Sequence, residues 1–84
     1  MKRSPIVLIE WADACGGARS GWRHITEIEK TTPATCYSVG FLMRHTKAEV
    51  LIVPHIATVD DQIDGDAELS IPRSWVKKIT VLRK

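Results

Sequence analysis

Five short runs rich in β-branched and aromatic residues, each closed by glycine, proline or a polar cluster, dominate this chain. Ile6 to Trp11 predicts a first strand, with Val7, Ile9 and Trp11 sharing one face. Thr35 to Arg44 predicts a second, with Tyr37, Val39, Phe41 and Met43 on one face. His45-Thr46-Lys47-Ala48 is short and polar and reads as a hairpin turn. Glu49 to Val53 is the returning strand, which Pro54 stops or places at an edge. Leu69-Ser70-Ile71 begins another strand, Pro72-Arg73-Ser74-Trp75 makes a tight turn, and Lys78 to Arg83 is the last strand. Such a chain is mostly β.

Two segments do not follow this pattern. Cys15-Gly16-Gly17-Ala18-Arg19-Ser20-Gly21 carries three glycines and reads as a turn or loop. From Trp22 to Lys30, Ile25 and Ile28 stand at helical i, i+3 spacing, which allows one or two helical turns. Thr31-Thr32-Pro33 closes that segment, because proline disfavours helix in the residue before it. Ala57 to Glu68 reads as a long polar loop carrying Asp60, Asp61, Asp64, Asp66 and Glu68. No repeat or linker interrupts residues 1–84, so one domain is expected.

With 84 residues the chain can build one modest core, and self-association would add stability. A hydrophobic fraction of 44% and a charged fraction of 26% place it among globular rather than disordered chains. The net charge of +2 excludes histone-like basicity but permits a local basic face. No apolar run approaches the ~20 residues that span a bilayer, so no membrane partner is expected. Met1-Lys2-Arg3 before Ile6-Val7-Leu8-Ile9 resembles the start of a signal peptide, but Glu10 and Asp13 interrupt it. The expected location is cytoplasmic, where Cys15 and Cys36 would stay reduced.

Val39-Gly40-Phe41-Leu42, the strand Val50-Leu51-Ile52-Val53, then Leu69-Ser70-Ile71-Pro72 with Val76, Ile79 and Leu82, follow one another in a recognisable order. This order resembles strands 2 to 5 of Sm-like and SH3-like small barrels, where a short 3₁₀ turn joins the last two strands. The resemblance implies a five-stranded SH3/Sm-like barrel with a loop or short helical insertion after strand 1. It covers Ser38 to Leu82. Two departures stand against it: no helix precedes the first strand, and Ala14 to Ala34 is a large insertion. The RNA-contact motifs of the bacterial Sm-like RNA chaperone are also missing. Trp11, Gly21-Trp22, Val39-Gly40 and Ile71 to Ile79 together are similar to small uncharacterised proteins of tailed bacteriophages. That resemblance implies a host-cell cytoplasmic setting.

Several constellations could carry chemistry. Cys15 with His24 or His55 could form a nucleophile–base pair, but no family signature surrounds Cys15, and a small residue in a turn is the better reading. Cys15, Cys36, His24, His45 and His55 lack the local pairing that structural zinc requires, so no metal or cofactor is expected. Asp60, Asp64 and Gly65 match positions 1, 5 and 6 of a calcium loop, yet Ile71 stands where the bidentate Glu belongs. A solvated acidic loop accounts for them better.

Arginine beside an exposed aromatic can hold a phosphate while a base stacks. Arg19, Trp22, Arg23 and His24 offer that combination, and Arg73 with Trp75 offers a second. Capping a small barrel is an equal alternative for Trp22 and the favoured role for Trp75. The leading expectation is a non-enzymatic, self-associating module for a nucleotide-like ligand, either a short single strand or a small signalling nucleotide. Sequestering such a nucleotide would counter a host defence. A protein–protein adaptor or inhibitor acting on a host protein is the alternative, and a small Cys/His hydrolase the third reading.

Overall fold

The computed structural model describes residues 4–14 and 21–84. The described residues form seven strands, one short α-helix and one 3₁₀ turn: β1 (Ile6–Asp13), α1 (Ile25–Ile28), β2 (Ala34–His45), β3 (Glu49–Val53), β4 (His55–Val59), β5 (Gln62–Asp66), β6 (Leu69–Pro72), η1 (Arg73–Trp75) and β7 (Val76–Arg83). Five strands make an antiparallel sheet in the order β6-β3-β2-β1-β7, and β4 pairs only with β5. The mostly β expectation holds. The sheet, however, is not closed by hydrogen bonds into a barrel: β6 and β7 are its two edges, joined through η1.

The core follows from register. Val7 faces Gly40, Ile9 faces Ser38 and Trp11 faces Cys36, so alternate residues of β1 and β2 point to one side. On that side β3 contributes Val50 and Ile52, opposite Ile71 and Leu69 of β6. Val7, Ile9, Val50, Ile52 and Ile71 form the buried cluster, with Trp11, Leu42, Leu69, Val76 and Ile79 packed against it. Each fully buried aliphatic side chain contributes about 1.5–3 kcal/mol. Ile71 is only 1% exposed although it stands on an edge strand, so the sheet must curl over its own concave side. The small residues Cys36, Ser38 and Gly40 on the inner side of β2 leave room for that curl. A Cβ on Gly40 would lie 3.0 Å from the Val53 carbonyl oxygen.

Polar contacts hold the ends. Trp11 Nε1 donates to Ser38 Oγ at 3.0 Å, and the Trp11 ring stacks on Trp75 at 6.4 Å between centroids. The Arg73 N–H donates to the Ala48 carbonyl at 2.9 Å, which ties η1 to the β2–β3 turn. In that turn Thr46 Oγ1 accepts from the Ala48 and Glu49 N–H groups, as the polar hairpin reading requires.

One expectation is overturned. Ala57 to Glu68 is not a loop, because most of it pairs into the β4–β5 hairpin. Asp60 and Asp61 form its two-residue turn, with φ of 49° and 63°. Positive φ at both central residues is the signature of the mirror-image turns that match strand twist, and aspartate tolerates it. The hairpin meets the main sheet only near its base, where Val53 of β3 lies beside Gly65, and its far end stands out as an arm. A radius of gyration of 16.9 Å against the ~12 Å of a compact chain this long marks the chain as elongated.

Candidate functional site

The expected ligand-binding residues fall into two groups. Trp22, Arg23 and His24 lead into α1, while Arg73 and Trp75 belong to η1. Arg19, and with it Cys15, lies outside the described residues. Gly21, at φ 105°, makes the turn that presents Trp22, a backbone angle that side-chain-bearing residues rarely adopt.

The indole of Trp22 is fully exposed, and Ile25 and Ile28 are exposed three and six residues further on. The helical spacing expected for Ile25 and Ile28 is present, but their shared stripe faces solvent rather than a core. His24 is the N-cap of α1: its Nδ1 accepts from the Thr26 N–H at 3.3 Å and lies 2.8 Å from Thr26 Oγ1. Arg23 is half-buried.

Trp75 has a different role. Its stack on Trp11, with 9° between ring planes, makes it part of the packing at one end of the sheet. Arg73 is exposed on the same 3₁₀ turn. Among the described residues no hydrogen bond or ion pair joins the η1 residues to Trp22, Arg23 or His24.

Sequence reasoning passed over a second surface. Ile6 faces Phe41, Leu8 faces Val39 and Glu10 faces Tyr37, so these residues share the outer side of the sheet. Tyr37 is 64% and Val39 51% exposed there. Met43 falls in the bulge between Leu42 and Arg44, which takes it out of the regular alternation. The outer side is edged by cations. The Arg83 guanidinium lies over the Phe41 ring at 5.8 Å, Lys78 stands opposite Glu10, and Lys77 Nζ donates to Thr35 Oγ1 at 3.0 Å. Alternation of Tyr37, Val39 and Phe41 gave the signal of a shared face, but not that it points outward.

Elsewhere on that side Glu49 accepts from Ser70 Oγ at 2.9 Å and pairs with Arg44. The Ser70 hydrogen bond first, then Arg44, holds the Glu49 carboxyl below the usual carboxylate range. Among the described residues Arg44–Glu49 is the sole ion pair, and no three His, Cys, Asp or Glu side chains come together as a metal site. No helix among them is long and apolar enough to cross a membrane.

Comparison with protein families, with curated proteins and with solved structures gives no match.

Proposed function

We infer that this chain is a non-enzymatic binding module that presents Trp22, with Arg23 beside it, to a nucleotide-like ligand. The observation that carries the reading is the fully exposed indole on a segment the sheet does not need. An aromatic face stacks on any base, worth about 1–3 kcal/mol per base, and a neighbouring guanidinium can take a phosphate. Arg19, three residues before Trp22, belongs to the same proposal on sequence grounds. Trp75 keeps its packing role on Trp11.

The strand order, with a 3₁₀ turn before the last strand, supports a kinship with Sm- and SH3-like small barrels in an opened form. A viral setting, with the module sequestering a host signalling nucleotide, belongs to the same proposal. A second reading, an adaptor for another protein, is favoured by the exposed Tyr37 and Val39 on the outer side of the sheet.

The test is tryptophan fluorescence of the full chain titrated with a short oligothymidylate and with a cyclic dinucleotide. Quenching by either ligand is expected in the wild type, and the affinity, read for the variants by isothermal titration calorimetry, should fall about tenfold or more with Trp22→Ala and be largely retained with Trp22→Phe. No quenching by either, together with purified protein free of ultraviolet-absorbing ligand, refutes the nucleotide reading.

A further inference from the structure

Charge is divided unevenly along this chain. Residues 55–68, the arm and the step into β6, hold Asp60, Asp61, Asp64, Asp66 and Glu68 and no lysine or arginine. The arm therefore carries −5, and since the whole chain is +2, the remainder carries +7. None of the arm's acids has a cationic partner among the described residues, and Lys77, Lys78 and Arg83 form no ion pair there, although Lys78 stands opposite Glu10.

The arm is also two-faced. Cross-strand register puts Ile56, Thr58, Ile63 and Gly65 on one side, and His55, Ala57, Val59, Gln62, Asp64 and Asp66 on the other. An isolated two-stranded hairpin is marginally stable in water, and from its own chain this one meets Val53 of β3 at its base, beside Gly65, while Ile63 further along the apolar side stays exposed. On the outer side of the main sheet, Ile6 to Glu10 of β1 against Phe41 to Tyr37 of β2 forms a strip five residues long. β4 and β5 are five residues each. Both strips thus run about 17 Å.

The exposed area points the same way. A compact monomer of 9.4 kDa exposes about 5,000 Å², whereas this chain exposes 6547 Å². The excess, about 1,500 Å², is shared between the arm and the exposed segment 21–33, and a standard interface takes ~800 Å² from each partner.

We propose that two copies of this chain exchange arms. The apolar side of each β4–β5 hairpin lies on the Ile6–Leu8–Val39–Phe41 strip of the other copy, and the Asp60-Asp61 tip meets Lys77 and Lys78 at the Glu10 end of that strip. The contact is isologous, so both arms are covered at once and the assembly stops at two. It does not depend on the nucleotide reading, since Trp22 takes no part in it.

Sedimentation of the nuclease-treated full chain tests this, with three variants: Asp60→Lys/Asp61→Lys on the arm, Lys77→Glu/Lys78→Glu on the margin, and Ile63→Ser on the apolar side. All replaced side chains are exposed, and circular dichroism checks that the sheet persists. Wild type is expected as a two-chain species, each charge reversal should weaken it about tenfold or more, and Ile63→Ser should weaken it too. Mixing the two charge-reversed proteins should regain the pair. A single chain at every soluble concentration overturns the proposal. So does a pair indifferent to the reversals, or one that appears only with nucleic acid present.

Discussion

At the residue scale, two positions are most exposed to test. Gly40 lies where β2 passes close to β3, and a Cβ there would sit 3.0 Å from the Val53 carbonyl oxygen and 3.2 Å from Ile52 Cβ. Neither backbone can yield cheaply within a paired ladder, so Gly40→Ala should cost about 1–3 kcal/mol, read as a lower urea midpoint at unchanged slope. Glu49 gives a pH signature. Its carboxyl titrates below the ordinary value because Ser70 and Arg44 favour the charged form. The stability it contributes is therefore present above the ordinary glutamate pKa of about 4.3 and lost as pH falls through the lower folded value. Glu49→Gln should remove that part of the acid-side slope while leaving the neutral-pH slope unchanged. An unaltered acid limb in the variant would show that the Ser70 bond contributes nothing.

At the scale of elements, the chain's alternation made β1, β2 and β3 legible to within two residues. β3 runs over the expected Glu49–Val53, and β1 and β2 extend only slightly beyond their apolar runs. What alternation could not say is which side of the sheet a stripe faces. Val7, Ile9 and Trp11 point inward, while Tyr37, Val39 and Phe41, an equally regular stripe, point outward. That choice belongs to the tertiary curl, which only small residues on the inner side of β2 permit. The β4–β5 hairpin stayed illegible for another reason. It buries almost nothing, so its sequence carries turn-like acids where a core strand would carry valine and isoleucine. Asp60-Asp61 is a weaker turn signal than Asn-Gly, although both residues take the positive φ such a turn demands. Replacing the pair with Asn-Gly should relieve the left-handed strain at Asp61, stabilise the hairpin by about 1 kcal/mol and slow amide exchange at Ile63 and Thr58. Because the same change removes two charges from the tip, it should also loosen any pairing of chains, and so separate hairpin strength from charge.

For the molecule as a whole, the candidate ligand residues were legible as types but not as a site. The sequence left Trp22 evenly between a ligand and a packing role and favoured packing for Trp75, and in the structure Trp22 is fully exposed while Trp75 stacks on Trp11. The partner across the sheet separates them, and Trp11 is 64 positions away along the chain. With Trp75 still 40% exposed, a Trp75→Ala change should lower stability by about 1–2 kcal/mol, and leave ligand titrations with Trp22 intact. The larger pattern is a molecule with a small enclosed core, a loose acidic arm and a cation-edged apolar outer face. Its surfaces outnumber what its own chain can cover. The most direct measurement of that account is native mass spectrometry of the freshly purified, nuclease-treated chain across a concentration series, beside the Asp60→Lys/Asp61→Lys variant. The account predicts a two-chain species for the wild type that falls apart in the variant. A single chain throughout, or a pair that the variant leaves unchanged, would contradict it.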